Sequence, residues 1–270
     1  MLQPDAQVVK LVDTLDLGSS ASRCGSSSLL LGNISKLMKP KDLPFTIKSF
    51  STRGPSYIDG VLTIPYYFEA VKKALLPVLN QRINSAQRIH VEICSGNGEW
   101  IVDKAAKNPE ILYVAVEKKF MRVRKIWSKM KNAGLENLLI VSGMGEDFFT
   151  YYLTDNSVEE IFINFPDPWP KARHAKHRII KDSFLPPIHK ILKQDGKITV
   201  TTDSVEYSTE ILDVFGKSSD FENFYPEKGY AILDEEYGGS YFRRLWADLG
   251  RENRLMTFKR QGPACALQKT

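Results

Sequence analysis

The chain is 270 residues long, with 43% hydrophobic and 26% charged residues, values that exclude a wholly disordered protein and leave room for one large α/β domain or two small ones. Its 37 Lys and Arg against 32 Asp and Glu leave a formal charge of only +5, so affinity for a polyanion has to come from clustering, and between Lys171 and Lys181 the basic residues do cluster. No apolar run is long enough to span a bilayer, and Cys24, Cys94 and Cys265 show neither metal-ligand spacing nor a disulfide framework, so the expected setting is the cytoplasm, with no membrane and no metal.

The first stretch, VVKLVDTLDLGSSASRCGSSSLLLGN (8 to 33), carries no helical or strand period. Its codons suggest another origin. Leu15 to Ser20 can be written CTGGACTTAGGATCCAGT, in which CTGGA and TCCAG are complementary around a leucine anticodon loop. Val9 to Thr14 can be spelled as a D-arm and Gly25 to Ser27 as GGTTCAAGT of a T-arm. The expectation is that residues 1–37 are a disordered extension, or a translated leucine transfer-RNA gene preceding a true start at Met38. Residues 38–87 are then a segment packing on or leading into the core, 88–262 the main domain and 263–270 a tail.

From residue 88 short β-rich runs alternate with amphipathic stretches, the pattern of a parallel sheet covered on both faces. RIHVEIC (88–94), LYVAVEK (112–118), LLIVSG (138–143), VEEIFINF (158–165) and KITVTTD (197–203) read as strands. GEWIVDKAAKN, FMRVRKIWSKMKNAG and VEYSTEILDVFGKS read as helices, with Gly134 as a helix stop. After Phe221 the pattern turns to loop, then a helix in RRLWADLG and a last strand in RLMTFKRQ.

VEICSGNGEW sets a carboxylate, Glu92, in a strand and follows it with a turn carrying Gly96 and Gly98 before a helix. Such a turn lets backbone approach a nucleotide closely. Glu117 ends the next strand, where open α/β sheets keep the acid that holds ribose hydroxyls. The turn lacks the Lys-Ser/Thr of a P-loop and the spacing of the dinucleotide fingerprint. Glu92 would moreover repel a pyrophosphate and attract a cation. A ligand with a ribose, an amino group and a positive centre fits: S-adenosylmethionine. The alternative is an ordinary tight turn with two surface carboxylates.

NFPDPWPKARHAKHR (164–178) breaks a core strand into a proline-clamped aspartate, Asp167, and then a basic comb. Pro166 and Pro168 restrict the backbone on either side of the acid. Trp169 offers a flat face and the comb offers phosphate donors.

FPDPWPKARHAKHR, with EICSGNG upstream and the strand-end Glu117, resembles the tRNA (guanine-N7)-methyltransferase family, bacterial TrmB type, over roughly residues 60 to 260. The resemblance implies a class I S-adenosylmethionine-dependent methyltransferase, an α/β Rossmann-like fold with a mostly parallel seven-stranded sheet and helices on both faces. It implies transfer of the donor's methyl group to N7 of guanine 46 in the tRNA variable loop, by a monomer or homodimer needing no partner protein. Asp167 is then catalytic, and Glu92, Gly96, Gly98, Glu117, Met144 and Asp167 meet the cofactor. Lys171, Asp203, Ser240, Tyr241, Phe242 and Arg243 meet the substrate, and Arg173, His174, Lys176, His177 and Arg178 meet RNA.

The chain departs from the family pattern at three places. Cys94 replaces the first turn glycine, Met144 and Gly145 stand where an aspartate lies near the adenine, and Arg243 replaces a glutamate. Two other readings remain open at this level: a class I methyltransferase acting on another RNA base or a small molecule, and a non-catalytic RNA-binding relative.

Overall fold

The structure is a computed structural model that describes residues 37–46, 54–65, 77–239 and 241–262. The expectations for residues 1–36 and for the tail from 263 fall outside the described residues.

The strands are β1 (Ser56–Ile58), β2 (Val61–Thr63), β3 (Ile89–Ile93), β4 (Leu112–Glu117), β5 (Leu138–Ser142), β6 (Val158–Asn164), β7 (Leu192–Thr202), β8 (Phe221–Asn223), β9 (Ala231–Ile232) and β10 (Arg254–Arg260). The helices are α1 (Pro77–Ser85), α2 (Glu99–Lys107), α3 (Phe120–Asn132), α4 (Gly145–Tyr152), α5 (Leu185–Ile191), α6 (Val205–Gly216) and α7 (Tyr241–Asp248). The strands form one sheet in the order β1-β2-β5-β4-β3-β6-β7-β10-β8, with β9 paired to β10. Pairing is parallel from β2 through β7 and antiparallel at β10. The run from β5 to β8 is the seven-stranded unit expected from sequence, and β3 and β6 lie side by side where the strand order reverses. That reversal opens a crevice at the carboxyl ends of the strands, the place where open α/β sheets take their ligands.

Both faces are covered. Alternate residues of β4 divide between two cores, Leu112, Val114 and Val116 in one and Tyr113 and Ala115 in the other, as the two-residue strand period demands. Ile83, Phe148, Ile188 and Ile211, from α1, α4, α5 and α6, join the first core; Trp100 and Ile101 of α2 and Val123 and Ile126 of α3 join the second. Helix α3 stops where its glycine was expected to stop it: Gly134 has φ +62° and the Leu135 amide donates back to the Met130 carbonyl at 3.1 Å.

Seven of these strands and helices escaped the sequence reading: α1, α4, α5, β1, β2, β8 and β9. Helix α5 starts Leu-Pro-Pro, which reads as a breaker although proline is accepted in a first helical turn. Helix α4, GEDFFTYY, is held by burial of Phe148, Phe149 and Tyr152 rather than by helix propensity. Strand β8 has only 3 residues. The β1–β2 hairpin extends the sheet past β5 because α3 pins its turn: Trp127 Nε1 donates to Asp59 Oδ2 at 3.1 Å and Lys131 Nζ to Asp59 Oδ1 at 2.8 Å.

One buried group makes the fold sensitive to acid. His90 on β3 is 5% exposed, neither ring nitrogen has a hydrogen-bond partner, and burial lowers its pKa from 6.5 to about 4. The unfolded chain therefore binds a proton below pH 6.5 that the folded chain refuses until about pH 4, so stability present above 6.5 is lost as pH falls through that window. The loss amounts to about 3 kcal/mol at most. His90→Phe is expected to flatten this part of the urea-midpoint profile; an unchanged slope between pH 6.5 and 4 would remove His90 from the account.

Candidate active site

The turn after β3 is tight and its sharpest residue is not glycine. Cys94, Gly96 and Gly98 all take left-handed φ, at +61°, +57° and +79°. The turn closes with Gly98 N donating to Ser95 O at 2.9 Å, and it is tied to β4 by Ser95 N donating to Val116 O at 3.2 Å. A Cβ on Gly98 would come within 2.8 Å of Ile126, so that glycine is required for α2 to pack on α3. The departure at Cys94 therefore keeps the turn but carries strain of about 1–2 kcal/mol. Cys94→Gly relieves it while freeing the unfolded chain, and a net stabilisation of about 0.5–1 kcal/mol is expected from urea unfolding.

The turn presents two buried carboxylates. Glu117, 4% exposed, accepts Gly96 N at 3.0 Å and Lys119 N at 2.7 Å, which leaves each of its oxygens a lone pair for a ligand. Glu92, 2% exposed, accepts Asn164 Nδ2 on Oε1 at 2.7 Å, while its Oε2 is buried with no hydrogen-bond partner. Asn164 is oriented by its own neighbours: its Oδ1 accepts Tyr237 OH at 2.7 Å and Thr201 Oγ1 at 3.2 Å, so only its amino group is left to face Glu92. Burial is the main cause that raises Glu92 to about 8.

Across the crevice, β6 ends in a strained turn. Phe165 and Trp169 both have left-handed φ, at +49° and +43°, conformations uncommon for bulky side chains. Between them Asp167 is exposed and makes no hydrogen bond or ion pair among the described residues. The comb follows as a short 3-10 helix, Ala172–His177. Trp169 packs its ring near His174 and His177, with centroids at 5.8 and 5.3 Å. Partial desolvation, then the charges of Arg173 and Lys171, hold His174 below its ordinary pKa, which favours the neutral ring.

These parts share one cavity of about 480 Å³. Glu92, Gly96, Glu117, Met144 and Asp167 line it, with Lys176 and His177 at the comb side. Gly98 shapes the turn without lining the cavity, and after β5 the lining passes through Gly143, Met144, Gly145 and Glu146. Lys171, Arg173 and His174 lie outside the cavity on the adjoining surface, and Asp203 is paired to Arg251 at 2.7 Å. Arg243 donates to the Gly238 carbonyl at 3.4 Å, so part of its role is to hold the loop before α7. Ser240 and the side chains of Tyr241 and Phe242 fall outside the described residues.

Arg178, expected among the RNA contacts, stands apart from the rest of the comb: it lines the cavity but is 5% exposed, and its guanidinium is taken by Glu206 and Glu210 and by the carbonyls of Pro168 and Trp169. Sequence reasoning missed Asn164 and Tyr237, whose only sequence signal is a polar residue at a core strand end for the first and none for the second. It also missed Lys118, Lys119 and Arg122 on the cavity rim beside Glu117.

The cavity accommodates the inferred cofactor by chemistry. An orphaned, buried carboxylate oxygen invites a cationic group, a second carboxylate with spare lone pairs suits a ribose diol, and the glycine turn allows backbone to lie against the ligand. Among the described residues no group of His, Cys, Asp and Glu could hold a metal ion, and no helix is long and apolar enough to cross a membrane.

Comparison with known proteins is consistent with this geometry. A family model described as "Putative methyltransferase" matches residues 86–250. A tRNA (guanine-N(7)-)-methyltransferase of Chlamydia muridarum is 39% identical over 217 residues, covering 80% of this chain and 95% of that protein. One of Chlamydia trachomatis is 39% identical over 215 residues, with coverage of 80% and 95%. Among solved structures, the antibiotic-resistance methyltransferase Kmr aligns with a TM-score of 0.49 at 16% identity, covering 72% of this chain and 98% of that one, which adds nothing to what the strand order already establishes. With 39% identity over 80% of this chain and 95% of these relatives, and with the cavity just described, the chain belongs to the tRNA (guanine-N(7)-)-methyltransferase family.

Proposed function

We propose that this protein transfers a methyl group from S-adenosylmethionine to N7 of guanine 46 in the variable loop of tRNA. The observation that carries the reading is the placement of an unpaired, proline-clamped carboxylate, Asp167, in the same cavity as the glycine turn and the buried acids Glu92 and Glu117.

When bound, S-adenosylmethionine supplies an electrophilic methyl group on a positively charged sulfur. Glu92 Oε2 would meet the ammonium of the methionine portion and Glu117 the ribose hydroxyls. Gly143, Met144 and Gly145 line the part of the cavity beyond β5; they would meet the adenine, and with no aspartate there that contact would fall to backbone and to the Met144 side chain. Guanine N7 offers an in-plane lone pair and bears no proton, so no general base is needed. What the protein must do is bring the base into line and tolerate positive charge growing on the purine. Asp167 does both by orienting the guanine and by standing as a fixed negative charge beside it.

In A-form RNA the N7 edge faces a deep, narrow groove, so the guanine is taken from a loop or a loosened tertiary pair. Lys171, Arg173, Lys176 and the two comb histidines then hold the neighbouring phosphates, and Asp203, directly after β7, positions the nucleotide. The reading uses groups of this chain alone, in keeping with a monomer or homodimer that needs no partner protein, and a tRNA substrate is in keeping with a cytoplasmic setting.

The test is purified protein, labelled methyl donor and bulk tRNA, with the product digested to nucleosides. N7-methylguanosine is the expected product. A different methylated nucleoside would favour the other class I reading, and binding of tRNA without turnover would favour a non-catalytic relative.

A further inference from the structure

Arg178 is the buried arginine of the comb, and its partners do more than fill space. Its five N–H donors are spread in a rigid fork, and four different partners take them. Nε donates to the Pro168 carbonyl at 2.7 Å, and Nη2 reaches both the Trp169 carbonyl at 3.4 Å and Glu206 Oε1 at 2.7 Å. Nη1 pairs with Glu210. The guanidinium also lies 5.2 Å from the centre of the Tyr207 ring, and the Tyr207 hydroxyl accepts the Ile180 amide at 3.2 Å. Glu206, Tyr207 and Glu210 all sit on α6, the helix that follows β7. Arg178 thus ties the far end of the strained turn to a rigid element, and the carbonyls it holds immediately follow Asp167.

Asp167 itself is exposed, so nothing in its own side chain fixes its position among the described residues. Its location depends on the backbone, which is limited by Pro166 and Pro168 on φ but not on the direction of the Pro168 and Trp169 peptide planes. Trp169 moreover holds φ +43°, a conformation that reverts unless its surroundings enforce it.

We propose that Arg178 is a positioning residue of the methyl-transfer site: anchored on α6 by Glu206 and Glu210, its guanidinium grips the carbonyls of Pro168 and Trp169 and so fixes where the Asp167 carboxylate stands. The proposal rests on the reading of Asp167 given above. Lysine at this place retains the charge but cannot span the turn and both glutamates, so the conservative substitution separates geometry from charge.

The experiment compares R178K, D167A, the double variant and K176A in steady-state methylation of bulk tRNA and in tRNA binding over a salt series, at temperatures well below each melting point. R178K is expected to lower kcat about 10- to 100-fold, the scale of loss from a misplacement of about 1 Å. Its tRNA affinity and salt slope stay at wild-type values, whereas K176A reduces the slope by about 0.7–0.9. In the D167A background R178K costs nothing more, because there is no longer a carboxylate to place. An unchanged kcat in R178K, losses that multiply in the double variant, or a shallower salt slope in R178K would each overturn the proposal. Full activity in D167A alone would instead remove the Asp167 reading, an outcome visible without any Arg178 variant. Should R178K fail to fold, E206Q/E210Q loosens the anchor while leaving the arginine in place, and the same fall in kcat with unchanged tRNA binding is expected; wild-type kcat there overturns the proposal.

Discussion

Replacement of Asp167 by alanine is expected to lower kcat by about 10²–10³, or about 2.7–4 kcal/mol, the usual worth of one fixed group aimed at developing charge. Because the carboxylate is exposed and makes no hydrogen bond or ion pair among the described residues, its removal breaks nothing that holds the fold. The unfolding free energy from urea titration should therefore change by no more than about 0.5 kcal/mol. Cofactor binding should change far less than kcat, since Glu92, Glu117 and the glycine turn are untouched. Asp167→Asn keeps the shape and a hydrogen-bonding group but not the charge, so it should fall between wild type and alanine. Equal rates for Asn and Asp would mean that orientation alone accounts for the effect and that the charge argument is wrong.

Glu92 carries the second large effect, and here affinity and stability move in opposite directions. Its carboxyl is buried and raised from 4.5 to about 8, so the folded protein keeps a proton that the unfolded chain gives up near 4.5. Stability contributed by this group is thus fully present below pH 4.5 and is lost as pH rises through about 8. Glu92→Gln removes that loss and should make the ligand-free protein more stable above pH 8, by roughly 1–4 kcal/mol. A cation placed against Oε2 favours the ionised form, so the wild type should release a proton when it binds such a ligand near neutral pH. Affinity should rise by up to tenfold per pH unit below about 8 and level off above it. In Glu92→Gln the pH dependence should vanish and affinity should fall roughly 10- to 100-fold.

S-adenosylhomocysteine is the informative probe for this experiment because it keeps the ammonium and lacks the sulfonium. Titration calorimetry in two buffers of different ionisation enthalpy measures the proton released. No proton release with this probe would mean that Glu92 does not face the ammonium.

The two acids divide the work in a way their surroundings explain. Glu92 is sealed at a central strand end, where desolvation makes an unpaired charge costly and a cationic partner valuable. Asp167 stands at the rim, where an ionised side chain costs little and a large substrate can reach it. The same sheet edge serves both because β3 and β6 are neighbours at the reversal of strand order. The strain in the turns is shared between the two sides, Cys94 on one and Phe165 and Trp169 on the other, as occurs where a backbone is held for a purpose beyond its own stability.

Much of this was legible without coordinates, for a local reason. The two-residue and 3.6-residue periods report which faces are buried, so the alternation from residue 88 onward was enough for the strands β3 to β7 and the helices α2, α3 and α6. Turn chemistry is local as well, and the glycine turn, the stop at Gly134 and the clamped Asp167 stand where residue type alone put them. What the chain could not disclose is which polar groups find each other across large separations. Asn164 meets Glu92 and Tyr237 at separations of 72 and 73 residues, and no periodicity links them. Arg178 looked like one more cation in a basic run until α6 supplied two carboxylates, 28 and 32 residues on, that draw it inward. A basic run specifies charge, but burial and partner choice are decided by packing, and it is the packing of α6 against the turn that buries this arginine and pairs it with two glutamates.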